Sequence, residues 1–379
     1  MLIFVLIFSQ FLFGARNTDT FEFYHDKVFI YNDQLIIDST SPDIINVTSR
    51  PVLPNVNKDA DYFQFIYYEQ IQSLKGFTPL GFNSSKCPVI NDYTSASKRA
   101  LISIAAYAYN NTVNIDPSIT YAMEALPNDV IKKVKTNNVI QEEKGEVQRN
   151  CNPAQNYLDA SFEINGVVDS DCVSNEIVLP GHTDAPGTAL PPIPTICDDN
   201  ITAINKFLTN YKFGYFEGAG SEDLKEILIR YGPILTEKNE IIFGWGDYIQ
   251  EESSQKFYIW HVARVIPQQV VADSTTYTDY SIQTSYIFFG SEGISEGSPN
   301  GVSGRFIFDG SFLPQPNYCD SIAVTTPKED CPCPQIGTDE YERDPRHTSD
   351  RDICASGSFR AILSVVVVAV VLPVMMLFW

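Results

Sequence analysis

Eight cysteines carry the most versatile chemistry in this chain, because a thiol can form a disulfide, bind a metal or act as a nucleophile. Cys331 and Cys333 are separated by one residue, whereas zinc knuckles place two residues between paired ligands. We therefore predict no metal site there and no cofactor. Eight cysteines in 379 residues are too few for a scaffold held by disulfides alone, but they suit a secreted protein with a few disulfides.

The two ends of the chain agree with passage through the secretory pathway. Residues 1–15 are an apolar run that ends in small residues, which is typical of a signal peptide, although a buried first strand is the alternative. The apolar run at 361–379 is about as long as a bilayer core requires, and no basic tail follows it. A transmembrane helix and a glycolipid-anchor signal fit it equally well. We therefore predict a membrane-anchored protein whose body lies in the lumen or outside the cell.

Four Asn-x-Ser/Thr sequons support a lumenal body, and they begin at Asn46, Asn83, Asn110 and Asn200. The formal charge of −21 would repel phosphate backbones, so nucleic acid is excluded as a partner. A hydrophobic content of 44% excludes a disordered tail.

The sequence divides into five predicted segments, which must position the cysteines and the other candidate side chains. Residues 16–75 alternate aromatic and polar runs and predict some β-structure in a region placed like a prosegment. Residues 76–320 form the main domain, 321–360 an acidic stalk with cysteines, and the two ends are the leader and the anchor.

Three helices are predicted inside the main domain. One runs from Ser95 to Tyr109 and is apolar on most faces, as a buried central helix would be. A second begins at Asn152-Pro153 and ends before Gly166. A third begins at Ser221, carries an apolar stripe of Leu224, Ile227 and Leu228, and stops at Gly232-Pro233.

The order of these pieces resembles the papain-like cysteine proteases. Val89–Ala108 aligns without gaps to the family pattern V-x-D/N-Q-G-x-C-G-S-C-W-A-F-S, and Cys151-Asn152-Pro153-Ala154 followed by Asn165-Gly166-Val167 is similar to C-x-G-G and N-G-I/V. Gly232-Pro233-Ile234 and His261-Val262 are similar to G-P-V and the catalytic H-A-V. In Ser285–Gly297, three residues coincide with the family's N-S-W-G region: Ser291, Gly293 and Gly297. The resemblance implies an α+β, two-lobed fold, with a helical lobe around a central buried helix and a β-barrel lobe.

The resemblance also assigns site positions, and most of them are changed. His261 is retained, but Lys98 stands at the nucleophile position and Asp92 at the position of the oxyanion-binding Gln. Gly290 replaces the Asn that orients the histidine. Lysine cannot supply a thiolate, and a carboxylate would repel an oxyanion. Without a nucleophile, His261 is better explained as a packed side chain beside Trp260 than as a base.

Two alternative nucleophiles remain open. If the alignment slips by one residue, Ser97 takes the nucleophile position and a Ser–His pair could hydrolyse peptides. Cys87 is the other candidate, but Pro88 follows it and a disulfide is favoured. In the family the C-x-G-G cysteine pairs with a residue that is Ser95 here, so Cys87 could take over and pair with Cys151. Cys172 with Cys197 is a second hypothesised bridge.

The favoured hypothesis is a membrane-anchored papain-like homologue that lacks catalytic activity and binds a peptide or protein in its cleft. An active membrane-bound endopeptidase with a shifted nucleophile is one alternative. An unrelated glycosylated surface ectodomain is the other.

Overall fold

The computed structural model describes residues 21–52, 58–136, 139–151, 157–177, 193–250, 255–272, 274–288 and 301–311, with residues 313, 341, 344, 346, 347, 353 and 354. The chain forms two compact units. Unit 1 takes its described residues from Met1–His25, Asp43–Asn128 and Val147–Ser311, and unit 2 from Asp26–Pro42, Asp129–Glu146 and Phe312–Trp379. The predicted leader, anchor and most of the predicted stalk lie outside the described residues.

Two long strands open the described chain and confirm β-structure in the N-terminal region. They are β1 (Glu22–Tyr31) and β2 (Gln34–Asn46). Asn32 and Asp33 join them with φ of 49° and 58°, a left-handed pair that a tight hairpin turn requires and that Asn and Asp tolerate best after glycine. A short 3-10 helix, Val47–Ser49, and the two-residue strand β3 (Phe63–Gln64) follow.

Five helices and a hairpin come next in the chain. The helices are α1 (Tyr68–Ile71), α2 (Phe82–Ser85), α3 (Pro88–Ser95), α4 (Lys98–Tyr109) and α5 (Ile119–Glu124), with a 3-10 turn at Lys75–Phe77. The hairpin consists of β4 (Asp129–Thr136) and β5 (Val139–Glu146), and it belongs to unit 2.

The remaining elements belong to unit 1 and are mostly strands. They are α6 (Leu158–Asn165), β6 (Tyr211–Ala219), α7 (Ser221–Tyr231), β7 (Ile234–Thr236), β8 (Glu240–Gln250), β9 (Gln255–Ala272), β10 (Thr275–Phe288) and β11 (Val302–Asp309).

Helix α4 lies in the centre of the unit 1 core, as predicted. Its residues from Arg99 to Ala106 are all buried, and its apolar side chains join one continuous cluster of buried residues. Burial of each Leu or Ile side chain contributes roughly 1.5–3 kcal/mol. The helix begins at Lys98 instead of the predicted Ser95, because Ser97 adopts φ 57° and separates α4 from α3.

The other two predicted helices are confirmed where the structure describes them. In α7 the stripe Leu224, Ile227 and Leu228 is fully buried, and Gly232 at φ 106° ends the helix in a conformation that favours glycine. Helix α6 ends before Gly166 as predicted, but it begins at Leu158. The predicted start at Asn152-Pro153 lies outside the described residues.

The predicted two-lobed papain-like fold is wrong. Eleven strands among the described residues join one mixed sheet in the order β10–β9–β8–β7–β11–β6–β1–β2–β4–β5, with β3 paired to β8. Strand β2 runs parallel to β4, and the other recorded pairs are antiparallel. The longest described helix, α4, has 12 residues, whereas β9 has 18 and pairs with β10 from Ile259 to Ala272. Such long-range pairing dominates the fold, and local helix signals do not encode it.

A buried histidine connects β1, β2 and α6 within unit 1. His25 is 2% exposed, and its Nε2 lies 3.1 Å from Glu163 Oε2 while its Nδ1 lies 3.5 Å from Asp43 Oδ2. Burial by itself would lower the pKa of His25, but the hydrogen bonds to Asp43 and Glu163 outweigh it and raise the pKa to about 9. His25 is therefore an imidazolium at neutral pH.

Two disulfides confirm both hypothesised pairings, Cys87–Cys151 and Cys172–Cys197. Disulfides of this kind form and persist in oxidising compartments, so the chain folds in the secretory pathway or outside the cell. Within the described ranges, no helix is long and apolar enough to cross a bilayer.

Candidate functional site

His261 lies on β9 between two partner strands, opposite Gly244 of β8 and Tyr286 of β10. Only 6% of the residue is exposed. Aromatic rings surround the imidazole, with centroids 5.6 Å away for Tyr62, 5.3 Å for Tyr68 and 6.1 Å for Phe243. The histidine is thus a core side chain, which agrees with the interpretation of His261 as a packed residue.

The hydrogen bonds of His261 fix its tautomer, that is, which ring nitrogen carries the hydrogen. Tyr68 Oη lies 2.6 Å from His261 Nδ1 and 3.1 Å from the carbonyl oxygen of Ser285. A tyrosine hydroxyl has one proton, so both contacts are satisfied only when Nδ1–H donates to Tyr68 and Tyr68 donates to Ser285. Nε2 then carries a lone pair, and it has no hydrogen-bond partner among the described residues.

The Nε2 atom is also closed off by backbone. A Cβ added at Gly246 would lie 2.9 Å from His261 Nε2, so the glycine allows the imidazole to lie against β8. Burial lowers the pKa of His261 to about 4, and it raises the pKa of Tyr68 to about 12. A neutral imidazole enclosed in this way is poorly placed to accept a proton from a nucleophile.

The alternative nucleophiles have other partners. Ser97 is fully buried, and its hydroxyl donates to the carbonyl oxygen of Asn239 at 2.8 Å. None of the hydrogen bonds recorded between described residues joins Ser97 to His261. The Cys87 sulfur is bonded to Cys151. Asp92 is exposed on α3, and Gly290 lies outside the described residues.

Lys98 opens α4 and belongs to a compact charged cluster. Its Nζ lies 2.9 Å from Asp159 Oδ2, and Arg305 Nη1 lies 2.9 Å from the same oxygen. Tyr93 donates a hydrogen bond to the second carboxylate oxygen of Asp159 at 3.0 Å. Burial would raise the pKa of Asp159, but the charges of Lys98 and Arg305 and these hydrogen bonds hold that pKa below its usual value. The ionised carboxylate offsets the unfavourable placement of a cation at a helix N-terminus.

A cavity of about 320 Å³ in unit 1 opens beside this cluster, and we call it the Lys98 cavity. Its lining residues come from β1, α4, β6, β7, β11 and the segments before α4 and β8: Tyr24, Ala96, Lys98, Tyr215, Phe216, Glu217, Leu235, Thr236, Glu237, Asn239, Gly304 and Arg305. The volume is at the lower end of the range for small-ligand sites. Of the predicted site residues, Lys98 lines this cavity, and His261 does not.

Charged and aromatic groups contact one another in the cavity wall. Arg305 lies over the ring of Tyr215, 5.1 Å from its centroid, and Tyr24 stacks on Tyr215 with the ring centroids 6.1 Å apart. Tyr24 Oη donates to Glu217 Oε1 at 3.2 Å. The wall therefore offers cations, carboxylates and flat aromatic faces together.

Sequence reasoning missed Asp159, Arg305, Tyr215 and Tyr68. Asp159 lies in the first turn of α6, where an acidic residue is explained by the helix dipole alone. Arg305 and Tyr215 face each other across β11 and β6. No local pattern links any of them to Lys98, because the sheet pairing that brings them together is long-range.

No group of three or more His, Cys, Asp or Glu side chains within the described part of the chain is arranged to hold a metal ion. Comparison with protein-family models, curated proteins and solved structures finds no match.

Proposed function

We propose that this chain is a membrane-anchored protein of the secretory pathway that binds a peptide segment in the Lys98 cavity and does not cleave it. The observation that carries the proposal is the position of Lys98. It stands at the N-terminus of a buried helix, is fixed by Asp159, and lines a cavity together with Arg305.

The lack of catalysis is supported by the positions of the candidate groups. The Ser97 hydroxyl is bonded to a backbone carbonyl, the Cys87 sulfur is in a disulfide, and His261 Nε2 is buried against Gly246. A serine or cysteine hydrolase with a histidine base needs its nucleophile within hydrogen-bond reach of that base. Ser97 and Cys87 each have another bonding partner instead, and among the described residues neither is hydrogen-bonded to His261.

A peptide is the ligand class that fits the lining best. Its backbone carries both donors and acceptors, and Thr236, Asn239 and Glu237 present polar groups of both kinds. Lys98 and Arg305 can hold an acidic side chain or a terminal carboxylate, while the ring of Tyr24 provides a flat apolar face. The membrane anchor in the proposal comes from the apolar run at 361–379.

Selection from a displayed random peptide library tests the binding, with the full chain produced in eukaryotic cells and held in detergent. We expect enriched peptides to bind the protein, and Lys98→Met and Arg305→Met each to weaken binding about 10- to 100-fold, the loss typical of one charge-assisted hydrogen bond. Lys135→Met is the matched control, because Lys135 is exposed on β4 and outside the cavity. No enrichment, or equal losses in all three variants, contradicts the proposal.

Covalent probes test the absence of catalysis. We expect neither a thiol-directed epoxysuccinyl compound nor a serine-directed phosphonate to add mass to the folded chain. Labelling at Ser97 or at any cysteine would show a nucleophile and would replace binding with hydrolysis as the function. Circular dichroism of the same sample verifies that the chain was folded.

A further inference from the structure

The four sequons differ in what the structure does with their asparagine side chains. An N-linked glycan is attached to the Nδ2 atom, and the bulky sugar must face water in the folded protein. At each sequon, the partner of Nδ2 and the exposure of the asparagine therefore decide whether a glycan fits the folded chain.

Asn46 and Asn110 share one arrangement. The backbone N–H and hydroxyl of Thr48 donate to Asn46 Oδ1 at 2.9 and 2.8 Å. Thr112 makes the same two bonds to Asn110 Oδ1, at 3.1 and 2.7 Å. In both cases the turn uses only the amide oxygen, and Nδ2 makes no hydrogen bond to any described residue. Asn110 is exposed just after α4, and Asn46 is partly exposed at the end of β2.

Asn83 is held differently, inside the short helix α2. Its Nδ2 donates to the carbonyl oxygen of Glu176 at 3.3 Å, and its backbone N–H donates to Glu176 Oε2 at 3.0 Å. The N–H of Ser84 donates to the other oxygen of the same carboxylate at 3.1 Å. Asn83 is partly exposed, as Asn46 is, but one of the two hydrogens on its Nδ2 is already donated to the Glu176 segment. A sugar on Nδ2 would therefore crowd the residue whose carboxylate caps α2.

Asn200 has an intermediate arrangement. Its Nδ2 donates to the nearby Asp198 carbonyl at 3.3 Å in an exposed turn. Asn83 and the pair Asn46 and Asn110 therefore differ most clearly in the partner of Nδ2.

We propose that Asn46 and Asn110 are N-glycosylation sites in the mature protein and that Asn83 is not. In the transfer, Nδ2 forms a bond to C1 of the first sugar of a lipid-pyrophosphate-linked oligosaccharide. The bond between C1 and the pyrophosphate oxygen breaks, the lipid pyrophosphate leaves with the electron pair, and Nδ2 loses one proton. The modified side chain keeps its Oδ1, so the bonds from Thr48 and Thr112 persist.

The inference rests on the proposed passage through the secretory pathway and is independent of peptide binding. Glycans are attached before the chain has finished folding, and the glycosylated chain must still be able to reach this structure. Occupied sites are therefore those at which the folded protein leaves the amide nitrogen facing water.

Glycopeptide mapping of the full chain from eukaryotic secretory cells tests the proposal. The chain is treated with peptide:N-glycosidase in heavy-oxygen water, which marks each formerly glycosylated asparagine, and peptides are identified by mass spectrometry. We expect the mark at Asn46 and Asn110 and none at Asn83. Asn46→Gln and Asn110→Gln should each increase gel mobility by one glycan, and Asn83→Gln is the matched control that leaves mobility unchanged.

Two results overturn the proposal in different ways. A mark at Asn83, or unmarked Asn46 and Asn110 in a chain that carries a glycan elsewhere, shows that the side-chain geometry does not determine occupancy. A chain without any glycan, although it was made with an intact leader, overturns the secretory route and with it that part of the proposed function. The peptide-binding result distinguishes this second failure from a failure of the Lys98 cavity.

Discussion

At the scale of single residues, His261 and Lys98 have separate sets of partners, and of the two only Lys98 lines the cavity. His261 bonds to Tyr68 in an aromatic cluster, and Lys98 bonds to Asp159 beside a cavity. The sequence identified Lys98 as a residue unable to supply a nucleophile. It did not identify Asp159 or Arg305, because an ion pair between distant segments leaves no local pattern.

His261 predicts a pH dependence of stability. Its pKa in the folded chain is about 4, below the usual value of 6.5, so the unfolded chain binds more protons between these two values. Stability is therefore fully present above about pH 6.5 and is lost as the pH falls toward 4. His261→Gln should reduce the drop in the urea midpoint between pH 6.5 and 4, since glutamine does not titrate. His347→Gln is the control, and an unchanged drop in the His261 variant would show that His261 does not cause the pH dependence.

At the scale of elements, His25 acts as a charged link between strands and a helix. Its folded pKa of about 9 lies above the usual 6.5, so the folded chain binds more protons between these values. The stabilisation is complete below about pH 6.5 and is lost as the pH rises toward 9. The shift corresponds to a contribution on the order of 3 kcal/mol.

Chemical unfolding of His25→Gln checks this link. We expect a lower urea midpoint at pH 6, where the imidazolium bonds both Asp43 and Glu163, and a much smaller difference from the natural chain at pH 9.5. Equal losses at both pH values would mean that packing, and not charge, accounts for the contribution of His25.

The elements also show where sequence reasoning succeeds. Helices α4 and α7 were predicted because their signals lie within or next to each helix. These signals are the apolar residues of α4, the Leu224 stripe of α7 and the stop of α7 at Gly232. The boundary at Lys98 was missed because it depends on the backbone of Ser97, whose hydroxyl bonds to distant Asn239. Sheet order was missed for the same reason, since β1 meets β6 across about two hundred residues of chain.

At the scale of the whole molecule, the two disulfides differ in the length of chain that they close. Cys87 and Cys151 are 64 residues apart, and Cys172 and Cys197 are 25 apart. Loop-closure entropy assigns about 4 kcal/mol to the first and about 3.5 kcal/mol to the second. We therefore expect both to contribute substantially, with the longer loop contributing more.

Paired substitutions measure this difference. Cys87→Ala with Cys151→Ala should lower the free energy of unfolding slightly more than Cys172→Ala with Cys197→Ala, as determined by urea unfolding of the full chain without reductant. A larger loss from the shorter loop would show that native-state packing around Cys172, and not the entropy of the unfolded chain, sets the contribution.

The span closed by Cys87 and Cys151 contains the whole of the β4–β5 hairpin. A protease that makes one cut between Asp129 and Glu146 therefore produces two polypeptides that remain covalently joined. Such a two-chain form would migrate as one band on a non-reducing gel and separate only after reduction. Proteolytic maturation at this hairpin would leave the mass of the oxidised molecule nearly unchanged, and a search for processing has to compare reduced with non-reduced samples.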